Sequence, residues 1–319
     1  MGRTTSFSAN VKGELARIYP KKPCCRLAEL AAIARLDGTV AWGSDGGVGF
    51  YMATEYSAVA RKAYRLLKDQ FSIEAELTVQ RQARLKRRVL YHIRVADAEG
   101  VPDMLQALGI LSPKRQILPG IKKDLVRNKC CRSSYLRGAF LGSGSVSSPD
   151  SGYHLELTVG NAQLGRELAS LVSRFPGLEA KVSQRKLSYL VYLKDSNQIA
   201  DFLVVMGAHG NLLAYENARV LKGLKNQVNR LVNCESANMD KTVEAAARQV
   251  ANIRLIEARL GLDALDPSLA LVAKSRLANP EANLKELGEA MSPPLGKSGV
   301  NHRLRKIGEI ADGLRLGAP

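Results

Sequence analysis

A short segment near the end of the chain carries side chains that can read DNA bases. Apolar residues recur at helical spacing at Val300, Leu304 and Ile307, which predicts a helix with one buried face. The remaining positions of this segment are polar or basic: Lys297, Ser298, Asn301, His302, Arg303, Arg305 and Lys306. Arginine and lysine can bond guanine edges, asparagine can bond adenine, and serine can contact bases or phosphates. The segment is therefore a candidate DNA-reading helix.

A second predicted helix and a tight turn precede this segment. Asn283 is followed three residues later by Glu286, the pattern of a capping box at a helix start, and it predicts a helix over Leu284–Ala290. Ser292-Pro293-Pro294 forces a turn, because prolines cannot continue the hydrogen bonds of a helix. A helix, a turn and a basic helix follow one another in a helix-turn-helix motif. The alternative is a solvated helical hairpin with ordinary surface charge.

The chain has five cysteines, four of them in the adjacent pairs Cys24-Cys25 and Cys130-Cys131. Structural zinc sites usually separate the two cysteines of a half-site by two to four residues, so that both thiolates reach one ion. We therefore expect no metal site, and interpret the pairs as small side chains buried at the starts of two helices. An odd number of cysteines also argues against a disulfide framework and favours a reducing cytosol.

The first two thirds of the chain contain an internal repeat. Cys24–Val40 matches Cys130–Val146 without a gap, and two further matches follow in the same order. Each copy predicts a helix, a strand or hairpin, a helix, two β-rich runs and a closing helix, an αββαββα order. Small residues in the first helix of each copy, at Ala28 and Ala32 in one and at Ser134 and Gly138 in the other, suit close packing between these two helices.

The sequence predicts four regions. Residues 1–20 are expected to form an N-terminal arm, and residues 21–210 a duplicated domain with repeats at about 20–112 and 126–210. Residues 211–237 are expected to be a helical linker, whose last five residues, the polar stretch 233–237, separate a helix over Leu212–Val232 from one over Asn238–Leu260. Residues 238–319 complete the helix-turn-helix domain.

Charge points to a polyanionic partner. Lysine and arginine number 47 against 30 acidic residues, which gives a net charge of +17. Nearly all of this excess lies before residue 235, because residues 235–319 contain 12 basic and 11 acidic residues. One cluster falls in a predicted hairpin turn: Arg81, Arg84, Lys86, Arg87 and Arg88. A second lies between the repeats: Lys114, Arg115, Lys122, Lys123, Arg127 and Lys129. They are candidates for phosphate contacts, or alternatively for docking an acidic protein.

The segment Leu30–Gly38 resembles the LAGLIDADG motif of homing endonucleases, and Leu136–Gly144 is its counterpart in the second repeat. The resemblance implies two αββαββα halves whose curved sheets form a saddle over DNA. In that family the acid before the final glycine of each motif holds the catalytic metal. Here one copy has Asp37, but the other has Ser143, which is a poor Mg²⁺ ligand. We interpret both as vestigial nuclease positions and expect no catalytic residue.

Longer motifs resemble the WhiA family over essentially the whole chain: Phe7–Leu15, Lys21–Cys25, Asn229–Glu235 and Lys297–Lys306. The resemblance implies a degenerate LAGLIDADG domain followed by a helix-turn-helix. It also implies regulation of transcription, sporulation or cell division and chromosome segregation in Gram-positive bacteria. In actinobacteria it implies a WhiB-like iron–sulfur protein as partner.

These observations predict an α+β protein, a tandem αββαββα LAGLIDADG-like pseudo-dimer followed by an all-α helix-turn-helix domain. We expect a sequence-specific transcriptional regulator that binds double-stranded DNA as a monomer with internal pseudo-two-fold symmetry, without nuclease activity, metal or cofactor. We expect it in the cytoplasm, associated with the nucleoid, because no apolar run approaches the length of a membrane span. The alternatives are a LAGLIDADG-type DNA endonuclease, or a regulator whose N-terminal domain only docks protein partners.

Overall fold

We describe the protein from a computed structural model, which covers residues 6–43, 47–82, 88–95 and 100–317, without the side chains of Gln82 and Arg88. The chain divides into two compact units, Met1–Gly223 and Leu224–Pro319. In the part of the chain so covered, no helix has the length and apolar character needed to cross a membrane.

The first unit contains the predicted αββαββα order twice. The first repeat comprises α2 (Pro23–Asp37), β1 (Gly38–Trp42), β2 (Val48–Thr54), α3 (Ser57–Phe71), β3 (Glu76–Gln82), β4 (Arg88–Val95) and α4 (Val101–Ala107). The second comprises α5 (Lys129–Ser143), β5 (Gly144–Val146), β6 (Leu155–Val159), α6 (Ala162–Val172), β7 (Lys181–Arg185), β8 (Ser188–Leu193) and α7 (Ser196–Met206). The predicted fold class is therefore confirmed.

Each repeat forms one antiparallel sheet of four strands. The strand orders are β1-β2-β4-β3 and β5-β6-β8-β7, so the two repeats have equivalent topologies. The stretch after the first helix of each repeat is a hairpin, β1-β2 or β5-β6. Side chains alternate between the two faces of each strand: Phe50 and Met52 are buried, whereas Tyr51 between them is exposed. One face of each sheet thus packs on the core and the other is open.

The two repeats pack together through α2 and α5. At Gly138 a Cβ atom would lie 2.3 Å from the backbone oxygen of Glu29 and 3.0 Å from the Cβ of Ala32. Glycine therefore permits a backbone approach that no other residue allows there. Of the small residues predicted at this interface, Gly138 and Ala32 are in contact.

A buried ion-pair network crosses the same interface. The carboxylate of Glu29 accepts from Arg137 Nε at 3.0 Å and from Arg137 Nη2 at 2.7 Å, and it also pairs with the ammonium of Lys62. Lys62 donates to the backbone oxygen of Leu15 at 2.8 Å, and Arg137 donates to that of Met206 at 3.2 Å. Because buried charges are costly unless they are paired and fully hydrogen-bonded, these contacts make the network possible.

The structure differs from the sequence prediction at the N-terminus. The stretch interpreted as an arm contains a helix, α1 (Phe7–Arg17), and its side chains Val11 and Leu15 are buried in the core of the first unit. Ser6 caps the start of this helix by accepting from the backbone N–H of Ala9 at 3.2 Å. Apolar residues four apart on a short helix are enough to dock it on the core.

The linker also differs. A single helix, α8, runs for 51 residues from His209 to Arg259, where the sequence analysis placed two helices separated by residues 233–237. That stretch is polar but has neither glycine nor proline, and its residues cost only a few tenths of a kcal/mol each in a helix. The boundary between the two compact units falls within α8.

The second unit has its own apolar core. It contains the C-terminal part of α8, then α9 (Pro267–Ala278), α10 (Leu284–Glu289) and α11 (Lys297–Arg315). Ile253 and Ile256 of α8 pack in this core with Val272 of α9 and Leu287 of α10. This core holds α10 and α11 in a fixed relation.

Candidate nucleic-acid interface

Helix α11 separates its apolar and polar residues as the sequence predicts. Val300, Leu304, Ile307 and Ala311 are buried in the core of the second unit. The polar side chains lie outside that stripe: Lys297, Ser298, Asn301, His302, Arg305 and Lys306 are exposed, and Arg303 is half-buried. Arg305 approaches Glu309 one turn later, with 3.6 Å between Nε and Oε1. An exposed pair of this kind is weak, so it leaves Arg305 available to a ligand.

The turn between α10 and α11 fixes the start of the candidate reading helix. The backbone N–H of Leu295 donates to the carbonyl of Gly288 at 3.0 Å. A Cβ on Gly288 would lie 2.0 Å from the backbone oxygen of Leu295 and 3.2 Å from Val300 Cγ2. The turn thus folds directly onto α10, which only glycine at position 288 permits.

The start of α10 is held by the predicted capping box. Asn283 Oδ1 accepts from the backbone N–H of Glu286 at 3.1 Å, and the Glu286 carboxylate accepts from the backbone N–H of Asn283 at 2.9 Å. These reciprocal bonds satisfy donors that a helix start otherwise leaves free.

A buried arginine supports the loop before α10. Arg276 is almost fully buried, and its Nη1 donates to the carbonyl oxygens of Ala282 at 2.5 Å and Asn279 at 3.4 Å. Burial lowers the pKa of this guanidinium, but arginine remains charged at neutral pH. Sequence reasoning missed Arg276, because its contacts are made across a loop and follow no periodic pattern.

Two further cations lie beside the predicted DNA-reading residues. A groove of about 490 Å³ is lined by residues of α8 to α11, among them Lys241, Lys285, Lys297 and Asn301. Lys241 and Lys285 are exposed and were missed by sequence reasoning, since they lie 56 and 12 positions before Lys297. The structure extends the basic surface beyond α11 alone.

The open faces of the two sheets carry mixed charge in the residues described. On the open face of the first sheet, strand pairing places Glu76 opposite Arg94. On the open face of the second sheet, Lys181 and Glu156 lie on either side of Tyr192, because each is paired with it. Arg185 also lies on the open face of the second sheet, paired with Ser188. The described part of this surface is therefore only weakly basic.

The first basic cluster is only partly described. Arg81 is exposed, but it alternates with Gln80 along β3 and shares the face of Leu77 and Val79, opposite to the open face. Arg88 lies in β4, and Arg84, Lys86 and Arg87 lie outside the described residues. In the second cluster, Lys114, Arg115, Lys122, Lys123, Arg127 and Lys129 are all exposed.

Asp37 and Ser143, which the sequence analysis interprets as vestigial nuclease positions, are the last residues of α2 and α5. A Cβ on Gly142, the residue before Ser143, would lie 3.7 Å from the Asp37 carboxyl carbon. Asp37 Oδ2 and Ser143 Oγ are both buried and accept or donate no hydrogen bond within the described residues. The ends of α2 and α5 thus come close together, and of Asp37 and Ser143 only Asp37 carries a carboxylate.

A lysine from α1 reaches this position. Lys12 is buried, and its Nζ donates to the backbone oxygen of Gly142 at 3.4 Å. Burial raises the pKa of Asp37 to about 7, against the opposing effect of the Lys12 charge. Burial likewise lowers the pKa of Lys12 to about 8, although Asp37 and Glu55 favour its charged form. Sequence reasoning did not identify Lys12, because only the docking of α1 brings it here.

The class of protein follows from two features: the duplicated αββαββα unit, and the capped helix, tight turn and basic helix that follow it. The protein has a LAGLIDADG-like domain followed by a helix-turn-helix. Three domain families match the chain in this order: the WhiA N-terminal LAGLIDADG-like domain at residues 23–111, the WhiA LAGLIDADG-like domain at 132–225, and the WhiA C-terminal HTH domain at 228–311.

Whole-chain relatives agree with these matches. The chain is 50% identical over 307 residues to the probable cell division protein WhiA of Desulforudis audaxviator, covering 96% of this chain and 97% of that protein. It is 49% identical over 313 residues to the probable cell division protein WhiA of Desulforamulus reducens, covering 98% and 97%. The chain belongs to the WhiA family.

A solved structure shares the fold. The crystal structure of full-length DUF199/WhiA from Thermatoga maritima matches with a TM-score of 0.56 and 24% sequence identity, over 97% of this chain and 98% of that one.

Proposed function

We propose that the protein is a sequence-specific DNA-binding regulator of transcription that does not cut DNA. It acts in cell division, with effects on chromosome segregation and sporulation, and it works as a monomer at the nucleoid. The observation that carries this proposal is α11, in which base-reading side chains are exposed around a buried apolar stripe, on a helix fixed by the Gly288 turn. A surface hairpin with ordinary charge would not need that fixed geometry.

The test is a triple variant of α11 in the full chain. Duplexes selected from a random pool by the wild-type protein supply the target. Replacing Ser298, His302 and Arg305 by alanine should weaken binding to that target by about 1–3 kcal/mol for each side chain that bonds a base, and should relax the base preference. Arg254→Ala removes an exposed cation of α8 outside the predicted reading face and serves as the matched control. Wild-type affinity and preference in the triple variant would refute the assignment of α11.

Two features support the absence of nuclease activity. Metal-dependent cleavage of DNA needs hard oxygen ligands, yet Ser143 contributes no charge and, in the described residues, no cluster of three acidic or histidine ligands surrounds Asp37. The buried Lys12 also supplies a cation of the protein's own beside Asp37. Incubation of the purified protein with its selected duplex and millimolar Mg²⁺ or Mn²⁺ should leave the DNA intact. Cleavage that is lost in Asp37→Ala would instead establish the endonuclease alternative.

A second candidate concerns the first unit. The mixed charge on the open faces of its sheets favours a protein-docking role over a continuous phosphate-binding surface. A WhiB-like iron–sulfur protein is the partner class that the family resemblance implies in actinobacteria. Under this alternative, the second unit provides all DNA contacts. The salt dependence of DNA binding distinguishes a phosphate-contacting first unit from a protein-docking one.

A further inference from the structure

Four cysteines from the two repeats converge at one point of the first unit. Cys24 and Cys25 lie in the first turn of α2, and Cys130 and Cys131 in the first turn of α5. Their four sulfur atoms all lie within 4.8 Å of one another. This cluster is at the N-terminal ends of the helices whose C-terminal ends carry Asp37 and Ser143, so it is separate from the vestigial nuclease position.

The sulfurs meet across the helix interface. The sulfurs of Cys24 and Cys25 lie within 4.8 Å of those of Cys130 and Cys131. Cys25 and Cys131 are buried, whereas Cys24 and Cys130 are exposed. The interpretation of these residues as buried apolar side chains therefore holds for only two of the four, and solvent can reach the other two.

This arrangement answers the objection that adjacent cysteines are poorly spaced to bind zinc. The objection was that two adjacent cysteines seldom direct both thiolates to one ion, but here the two sulfurs of each pair lie within 4.8 Å of each other and of the other pair. Here the second half-site is the equivalent pair of the other repeat, 106 residues away. The packing of α2 on α5, held by the Gly138 contact, brings the pairs together.

The surroundings suit an anionic thiolate cluster. Four thiolates around a divalent ion carry a net charge of −2, which positive surroundings stabilise. The first turns of α2 and α5 contain no acidic residue, and both helix starts present the positive end of a helix dipole. Basic residues flank the pairs in sequence: Lys21, Lys22, Arg26, Lys129 and Arg132.

We propose that Cys24, Cys25, Cys130 and Cys131 form a tetrahedral zinc site that joins the two repeats. Zn–S bonds of about 2.3 Å place the sulfurs of a tetrahedral site about 3.8 Å apart, so the cluster needs to contract by about 1 Å at most. Four soft thiolates select a thiophilic ion such as Zn²⁺ over Mg²⁺ or Ca²⁺. The site is structural, because four protein ligands leave no position for a substrate.

The first measurement is the metal content of the full-length wild-type protein, purified under reducing conditions without chelators. Elemental analysis should give about one zinc per chain. Replacing zinc by Co²⁺ should produce the intense visible bands of a tetrahedral thiolate complex. Substoichiometric metal, iron with sulfide in place of zinc, or a mass showing two interhelical disulfides would each overturn the proposal.

Variants locate the site. Cys24→Ser and Cys130→Ser alter exposed cysteines, and each should lower zinc content to near zero while circular dichroism shows an unchanged fold. Cys234→Ser changes the exposed cysteine of α8 outside the cluster and should retain one zinc per chain. Retention of zinc in folded Cys24→Ser and Cys130→Ser would overturn the assignment. Should either fail to fold, thiol reactivity of the wild type decides: four thiols should be protected until a strong chelator is added, and full reactivity beforehand would refute the site.

Discussion

Glu29 is a carboxylate enclosed by two cations at the interface of α2 and α5. Its partners Lys62 and Arg137 come from different helices, and each also donates to a backbone carbonyl. A network of this kind contributes less to net stability than its geometry suggests, because all three charges lose their hydration. Its members nevertheless depend strongly on one another, since removal of one leaves the others unpaired.

Loss of the Glu29 carboxylate should therefore destabilise the first unit strongly. Glu29→Gln leaves Lys62 and Arg137 buried without a counter-charge, and we expect it to lower the free energy of unfolding of the first unit by about 3–5 kcal/mol. Urea unfolding followed by circular dichroism measures this. Glu216→Gln is the matched control, because Glu216 forms a partly exposed pair with Arg219 at 3.0 Å and should cost about 1 kcal/mol or less. Equal effects of the two substitutions would contradict the role assigned to the network.

Asp37 should make stability depend on pH. Its pKa is raised to about 7 in the folded protein, mainly by burial, so between about pH 4 and pH 7 the folded state holds a proton that the unfolded state has lost. Stability contributed by this group therefore falls as pH rises through that window, by at most about 1.4 kcal/mol per pH unit. Asp37→Asn removes the effect, so the stability of this variant relative to wild type should increase from pH 4 to pH 7 and then level off.

Urea unfolding at several pH values in this range measures the difference. Asp124→Asn, at an exposed aspartate, controls for the loss of a carboxylate from the surface. A difference between Asp37→Asn and wild type that stays constant over the whole range would show that the pKa of Asp37 is not raised.

At the scale of elements, the turn between α10 and α11 is tightly constrained by the contact of Gly288 with Leu295. Gly288→Ala places a methyl group against the Leu295 carbonyl, and overpacking of this kind costs about 1–3 kcal/mol. We expect faster hydrogen exchange in α10 and α11 and weaker DNA binding. Gly296→Ala is the control, because a Cβ there meets no atom within 4 Å and its φ of −68° suits any residue. Unchanged exchange in Gly288→Ala would contradict the tight-turn geometry.

Elements with strong periodicity were predictable from the sequence. The stripe of Val300, Leu304 and Ile307 indicated α11, and the matched glycines and small residues of the repeats indicated the packing of α2 on α5. The polar stretch 233–237 was misleading, since polarity alone does not end a helix that lacks glycine and proline. The docking of α1 could not be predicted, because it depends on a surface formed by α3 and α5 much later in the chain.

The candidate site residues divide in the same way, into those that lie on one helix and those that separate elements bring together. The exposed polar face of α11 lies within one helix, so its residues follow from spacing alone, and their role in reading DNA stays a prediction. Lys12 beside Asp37, Lys285 beside Lys297, and the four cysteines are each assembled from separate elements. No spacing rule along the chain encodes such neighbours, which become visible only when the tertiary packing is known.

At the scale of the whole molecule, the first unit carries most of the excess positive charge. If it contacts phosphates, replacing Arg81, Arg84, Lys86, Arg87 and Arg88 by glutamine should flatten the dependence of log K on log salt by about 0.9 for each phosphate no longer neutralised. The base preference should stay the same, because phosphate contacts carry no sequence information. Affinities at four salt concentrations provide the slopes.

A second variant, in which five cations of the second basic cluster are replaced by glutamine instead, separates a local effect from a change in net charge. Equal flattening in both variants would indicate a general charge effect. Unchanged slopes in both would contradict phosphate binding by these clusters and favour the alternative in which the first unit docks a protein.

The pairing of Glu29 with Arg137 bears on how a duplicated domain can evolve. The position equivalent to Glu29 in the second repeat is Tyr135, and the position equivalent to Arg137 in the first is Ala31. Two copies of the first repeat would each keep the pair of Glu29 with Lys62 but lack the arginine, and two copies of the second would supply arginines without this carboxylate. The two halves are therefore complementary at this interface, so neither sequence could replace the other there.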